Sequence, residues 1–352
     1  MHRNRSRIAQ TSEWPAVQLR DAGCAAARGE EDHDEGRWRL AHAELRLIST
    51  LPYSNHRIPV AGVAELMTDT ADMAANLRAQ YASALKRFTA SSKAFEVVGS
   101  APVEPLSVTP KVLYVLDSSF NPPTLAHLRI ASSALAENPG PSSRLLLLLA
   151  TQNADKPSKP ALFEDRLVMM DLFARDLRSS LQASAGTSTP DTLPQVDIGL
   201  TKKPYFIDKA AEIETSGVYP RSLEQVHLVG YDTLIRIFNP KYYPPTHTLQ
   251  PLEPFLTQHR LRVTMRPDDE WGGREEQEDY LRHLAQGGRE SEGAKKEWAQ
   301  RIQLVEGKAK DDQVVSSTKA RHAAKSQPND LDLLVTANVR DYIVSHGLYK
   351  ED

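Results

Sequence analysis

Cysteine occurs once in this chain of 352 residues, at Cys24, which excludes an internal disulfide and a cysteine-rich zinc site. Long apolar runs are missing too. The longest, Leu145-Leu146-Leu147-Leu148-Leu149-Ala150, falls far short of the roughly 20 residues that a helix needs to cross a bilayer, so no membrane partner is expected. Charge of one sign is not in excess either. With 43 Lys and Arg against 46 Asp and Glu, the formal net charge is −3, and the basic footprint of a nucleic-acid surface is lacking. At 40% hydrophobic and 25% charged residues, the chain can bury one substantial core and a smaller unit.

The first 67 residues read as a flexible extension. The run Gly29-Glu30-Glu31-Asp32-His33-Asp34-Glu35-Gly36 has charge and no apolar period, so it has little to pack with. Arg3, Arg5 and Arg7 precede the first acid, Glu13, as in a mitochondrial leader, but no amphipathic face can be drawn through them. A cytoplasmic or nuclear location is expected over a mitochondrial one. From Asp72 onward Met73, Leu77, Tyr81, Leu85 and Phe88 recur at about four-residue spacing, predicting a helix that packs on the main domain. A proline-bearing linker at 102–110 leads into that domain, which is expected to occupy residues 111–352.

Within it, the pattern alternates. Strands are predicted at 112–116, 145–149, 196–200 and 226–229, and helices at 127–136, 164–181 and 207–214. Largely apolar strands separated by helices imply an α/β fold, a Rossmann-like doubly wound parallel sheet with helices on both faces. Polar stretches at 183–194 and 270–293 are expected as mobile insertions.

Two segments carry chemistry. The first, Ser118-Ser119-Phe120-Asn121-Pro122-Pro123-Thr124-Leu125-Ala126-His127, follows the apolar run 112–116 and reads as strand, tight turn and helix start. Such a turn offers backbone N–H groups and the positive end of a helix dipole to a phosphate. The second, Val314-Val315-Ser316-Ser317-Thr318-Lys319-Ala320-Arg321, repeats that logic: hydroxyls at a helix start, then an arginine one turn on, on the same face as Ser317 and Thr318. Taken singly, each is a capping sequence with a nearby histidine or arginine. Two phosphate-facing turns together suggest a polyphosphate ligand.

The pair resembles the signatures of the nicotinamide and nicotinate mononucleotide adenylyltransferases, Gly-Ser-Phe-Asn-Pro-x-Thr-x-x-His and Ile-Ser-Ser-Thr-x-x-Arg. Ser119, Phe120, Asn121, Pro122, Thr124 and His127 match the first; Ser316, Ser317, Thr318 and Arg321 match the second. Gly230-Tyr231-Asp232 resembles the family's Gly-x-Asp turn, and Val339-Arg340-Asp341-Tyr342-Ile343 its closing helix, so the likeness spans about residues 111–350. The resemblance implies transfer of an adenylyl group from ATP to nicotinamide or nicotinate mononucleotide, giving NAD or its deamido form, with Mg²⁺ carried by the triphosphate and no protein metal site. His127 would donate to an α-phosphate oxygen, while Ser118, Ser119, Phe120, Asn121 and Thr124 form the phosphate turn. Ser316, Ser317, Thr318 and Arg321 would hold the β- and γ-phosphates, and Gly230 and Asp232 the ribose or base. A basic residue in the loop after the second strand is also implied; Lys156 is preferred over Lys159, and Arg166 follows on the next helix.

The chain departs from that pattern in two places. Ser118 stands where the family has glycine, with the carboxylate of Asp117 just before it. The tryptophans expected around a nicotinamide ring have no clear counterpart, because Trp14, Trp38, Trp271 and Trp298 lie in the extension or in and beside the charged insertion. Tyr205 and Phe206 are the nearest aromatic alternatives, and both read as core. These departures keep two other functions open: a nucleotidyltransferase for another phosphorylated acceptor, and a nucleotide-binding interaction module without transfer activity.

Overall fold

A computed structural model describes residues 60–104, 108–152, 161–185, 192–266, 271–307 and 314–350, with side chains from residue 73 onward. The extension at 1–59, and with it the charge run at 29–36, lies outside the described residues. Helix α1 (Val60–Ala90) leads into strand β1 (Phe95–Ala101). Then follow β2 (Val112–Asp117), α2 (Leu125–Glu137), β3 (Ser143–Ala150), α3 (Phe163–Ala185), β4 (Gln195–Thr201), α4 (Phe206–Thr215), β5 (Glu224–Gly230) and α5 (Tyr231–Ile237). The chain closes with α6 (Glu253–Gln258), β6 (Arg260–Thr264), α7 (Arg274–Ala285), β7 (Ile302–Val305), α8 (Ser317–Ser326) and α9 (Ala337–Ser345).

The five leucines of β3 show why this sheet is buried on both faces. Successive side chains on a strand point to opposite sides, and Leu145, Leu147 and Leu149 enter one core while Leu146 and Leu148 enter another. Strand β2 divides likewise, Val112, Tyr114 and Leu116 facing one way and Leu113 and Val115 the other. No helix among the described residues is long and apolar enough to cross a membrane.

The seven strands lie in the order β1-β4-β3-β2-β5-β6-β7, all parallel except β1, which runs antiparallel to β4. The chain winds outward from β2 through β3 to β4, then returns to the other side of β2 as β5 and winds out again. A Rossmann-like doubly wound sheet results, and its topological switch point lies between the carboxyl ends of β2 and β5, where open α/β sheets bind ligands. Asp117 ends one of these strands and Gly230 the other.

Three parts of the sheet differ from the sequence pattern. The segment before the linker forms β1, an edge strand broken by a register shift between Val97 and Gly99. Gly99 is required there because a Cβ would sit 2.3 Å from the Tyr81 hydroxyl of α1. Strands β6 and β7 were hidden because arginine alternates with apolar residues in Arg260-Leu261-Arg262-Val263 and only Leu261 and Val263 enter a core. The polar insertion at 270–293 contains α7, whose Tyr280, Leu281 and Leu284 join Phe238 and Trp298 in a second core. Gln277, fully buried, hydrogen-bonds Arg266 through both ends of its amide, replacing backbone partners.

Helix α1 is fastened to α3 by polar contacts as well as by packing. Arg78 donates to Asp165 at 2.6 Å and to Glu164 at 3.1 Å, Tyr81 donates to Asp171 at 3.1 Å, and Tyr342 of α9 donates to Asp165 at 2.9 Å. Asp165 is thus a buried junction of three helices. Replacing it with alanine takes the acceptor from Tyr342 and leaves Arg78 with Glu164 alone, with an expected cost of about 2–3 kcal/mol in denaturant unfolding. Leu147→Ala is expected to cost about 3–4 kcal/mol, while exposed Asp341→Ala stays within about 0.5 kcal/mol of wild type.

Candidate active site

The first corner is built by the end of β2. The Ser118 N–H donates to Leu148 O at 3.2 Å and so extends the sheet by one bond before the chain turns. Phe120 then adopts a positive φ of 43°, an uncommon conformation for a bulky residue, held by complete burial of its ring. The Asn121–Pro122 peptide is cis. Thr124, wholly buried, is the N-cap of α2, and His127 occupies the third helical position.

That position decides the state of the imidazole. The backbone N–H of Thr124 donates to His127 Nδ1 at 3.0 Å, and the Thr124 hydroxyl lies 2.9 Å from the same nitrogen. This is a capping box in which histidine plays the part usually taken by glutamate. With Nδ1 accepting, the proton of the neutral ring sits on Nε2, which faces the Ser118 hydroxyl at 3.0 Å. Burial pushes the His127 pKa down to about 4, so the ring is neutral at physiological pH. A Ser–His pair invites comparison with a hydrolase dyad, but here Nε2 already carries a proton and cannot take one from serine. The arrangement is a donor chain: His127 Nε2–H to Ser118 Oγ, whose own proton has no other partner among the described residues.

The second corner meets the first directly. Ser316 caps α8 by accepting from the Lys319 N–H at 3.2 Å. Ser317 Oγ donates to Pro122 O at 2.8 Å, and Arg321 Nη1 donates to Asn121 O at 2.8 Å while its Nη2 reaches Thr318 Oγ1 at 3.1 Å. Tyr349 donates to Asn121 Oδ1 at 2.9 Å. Corners almost two hundred residues apart in sequence thus share hydrogen bonds. Ser316, Ser317 and Arg321, expected from the sequence at the β- and γ-phosphates, also build the joint: Ser316 as a cap, Ser317 as a cross-link, and Arg321 as a clamp.

Gly230 and Asp232 stand at the end of β5, beside β2. The Asp232 carboxylate folds back over Gly230, where a Cβ would meet its Oδ1 at 2.7 Å, so only glycine leaves that carboxylate in place. Lys156 and Lys159 lie outside the described residues. Of the aromatic pair, Phe206 packs edge-on against His227 and Phe255 with centroids 4.8 and 4.9 Å away, as a core residue. Tyr205 is not core: it precedes α4 and is 42% exposed.

One functional side chain escaped the sequence reading. Lys209, buried in α4, places Nζ 2.5 Å from Asp117 Oδ2. The carboxylate beside the phosphate turn therefore has its own counter-charge. Its only sequence signal is a lysine on the apolar face of a helix, flanked by Ala210 and Ile213, where a buried cation needs an acid. Among the described residues no group of three His, Cys, Asp or Glu side chains gathers as a metal site, and the only carboxylate at the turn is engaged by Lys209.

No protein-family model matches the chain. A Schizosaccharomyces pombe protein named "Putative nicotinamide mononucleotide adenylyltransferase" is 35% identical over 244 residues, covering 69% of this chain and 86% of that protein. The chain belongs to the nicotinamide mononucleotide adenylyltransferase family. Two solved structures of a Plasmodium falciparum nicotinic acid mononucleotide adenylyltransferase, one complexed with NaAD and one with APC, each cover 69% of the chain at 15% identity, with TM-scores of 0.43 and 0.41. Each of those chains is covered to 98%. In this chain Ser118 stands where the resemblance put a leading glycine, and the Asp117–Lys209 pair adjoins it.

The depressed pKa of His127 makes a pH prediction. The neutral ring is favoured in the folded protein, so its contribution to stability is fully present above the unfolded value of 6.5 and is lost as pH falls toward about 4. The stability gap between wild type and His127→Asn is expected to shrink by about 2–3 kcal/mol between pH 7 and pH 4. Urea unfolding of both proteins at a series of pH values measures it, and a gap that stays constant contradicts the neutral assignment.

Proposed function

We propose that this protein transfers the adenylyl group of ATP to the phosphate of nicotinamide or nicotinate mononucleotide. A phosphate oxygen of the mononucleotide attacks the α-phosphorus, the bond from that phosphorus to the bridging oxygen breaks, and pyrophosphate leaves. Nucleophile and leaving group are both competent as they stand, so alignment and charge stabilisation are the tasks left to the protein. The observation that carries the reading is the joined pair of corners at the switch point, with a neutral, proton-bearing imidazole held in one of them.

Ser118 and His127 supply the donor chain toward an α-phosphate oxygen. Ser119, which is exposed, and the backbone N–H groups of the turn add donors, and Phe120, Asn121 and Thr124 hold its shape. The start of α8, with Ser316, Ser317, Thr318 and Arg321, faces the distal phosphates by its helix dipole and by the guanidinium. Mg²⁺ travels with the triphosphate as part of the substrate, and Lys156 is a further cation for it. Asp232 accepts from a ribose hydroxyl. Tyr205, on the rim near Lys209, is the aromatic surface available to a pyridine ring.

The pairing of Asp117 with Lys209 leaves the turn open to phosphate, because a free carboxylate there would repel it. The protein incubated with Mg-ATP and either mononucleotide is expected to form the corresponding dinucleotide, and His127→Ala to lower kcat/KM by about 10²–10³. Tight nucleotide binding without dinucleotide would instead identify an interaction module, and adenylylation of some other phosphorylated acceptor would identify a sister enzyme.

Lys209→Met strands the Asp117 carboxylate and is expected to raise the KM for ATP by about tenfold or more, by like-charge repulsion in a partly desolvated site. Adding Asp117→Asn to that variant removes the repelling charge and is expected to restore most of the loss, a coupling that a double-mutant cycle measures. Additive effects would show that the pair serves packing alone.

A further inference from the structure

Arg166 is the unexplained cation of this site. It sits in the first turn of α3, is 4% exposed, and donates from Nε to Ala161 O at 3.0 Å, with its guanidinium 5.0 Å from the centre of the Phe163 ring. Its Nη2 is buried and has no hydrogen-bond partner. Buried guanidinium groups are normally paired with a carboxylate, since an unmet charge away from water is costly. Two carboxylates precede it on the same helix, but both are turned elsewhere: Glu164 to Arg78, and Asp165 to Arg78 and Tyr342.

The Tyr349 hydroxyl, which donates to Asn121 Oδ1, also lies 3.9 Å from Met169 Sδ, one turn beyond Arg166 on α3, so the first turn of α3 stands beside the joined corners. Burial lowers its pKa first, and repulsion from Arg321 lowers it further, with the Tyr349 hydroxyl the one opposing influence. Arg321 and Tyr349 are the two side chains that hold Asn121, through its carbonyl and its side-chain oxygen. Two guanidinium groups therefore act at one turn while the carboxylates nearest Arg166, Glu164 and Asp165, are engaged by Arg78 and Tyr342, an arrangement that an anion completes. A guanidinium fork suits phosphate oxygens in particular.

We infer that Arg166 is a polyphosphate ligand, its Nη2 joining Arg321 on the terminal phosphates of ATP and hence on the pyrophosphate that leaves. The inference rests on the adenylyl-transfer reading and adds to it. His127 and Ser118 would act on the phosphate that is transferred, and Arg166 on the end that departs. Its absence from both sequence motifs follows from its place on a different helix, α3, brought to the corner by the packing of that helix against β1 and α9.

The test compares the binding of ATP, AMP and inorganic pyrophosphate to the full-length protein by titration calorimetry. Wild type is expected to bind ATP more tightly than AMP. Arg166→Met is expected to weaken ATP and pyrophosphate by about 30-fold or more while changing AMP less than about threefold, and Arg166→Lys, which keeps the charge without the fork, to fall between. A folded Arg166→Met that keeps the wild-type ratio of ATP to AMP affinity overturns the inference and leaves adenylyl transfer standing. A wild type that binds none of the three overturns both. Should the methionine variant not fold, a crystal structure of the wild type with a non-hydrolysable ATP analogue decides, since Nη2 beyond hydrogen-bond reach of the β- and γ-phosphates rejects the inference.

Discussion

The hydrogen bonds from Arg321 to Asn121 O and from Ser317 to Pro122 O tie the start of α8 to the turn after β2, and the geometry of the site follows from that joint. Without it, the carbonyls of Asn121 and Pro122 would lose these donors, and the start of α8 would lose its link to the turn that leads to His127. Tyr349 reinforces the joint from the far end of the chain through Asn121 Oδ1. A third bond, from the Leu125 N–H to Leu334 O at 2.9 Å, fixes the beginning of α2 against the segment that follows α8. The turn after β2 is thus held by Ser317, Arg321 and Tyr349 from the last part of the chain, and truncation there would be felt at its centre.

The charges are arranged with equal economy. A neutral imidazole supplies direction without charge, because its Nδ1 is occupied by Thr124 and burial opposes protonation. Positive charge comes from guanidinium groups set behind the turn. The Asp117 carboxylate, which precedes the turn, is held by Lys209, itself anchored on the buried face of α4. That pairing neutralises the aspartate at the head of the first motif, as the proposed phosphate-binding role of the turn requires. Serine in place of glycine narrows the approach to the backbone, but it extends the reach of the histidine by one hydroxyl.

The order of the elements was legible because its signals are local. The β2, β3, β4 and β5 strands appear as short apolar runs, and the intervening helices as periodic ones. Strands β6 and β7 and helix α7 were not, since Arg260, Arg262, Gln303 and the glutamates of α7 interrupt the apolar residues that face the second core, Arg262 being itself buried against Glu137 of α2. Trp298 is buried in that core, which only its neighbours reveal. In the same way Tyr205 and Phe206, adjacent and chemically alike, separate into a rim residue and a core residue because a helix begins between them.

By itself the sequence determined that the protein carries two hydroxyl-rich helix starts with a histidine in one and an arginine in the other, set in an alternating α/β chain, because capping and periodicity are written in neighbouring residues. Tertiary structure decided how those groups are used. It made Ser317 and Arg321 the joint between corners, gave Asp117 a lysine partner, put the proton of His127 on Nε2, and left Arg166 buried without a counter-ion. Each of these depends on atoms brought together across the switch point of the sheet, and through-space distances of about 3 Å are not encoded by separation along the chain.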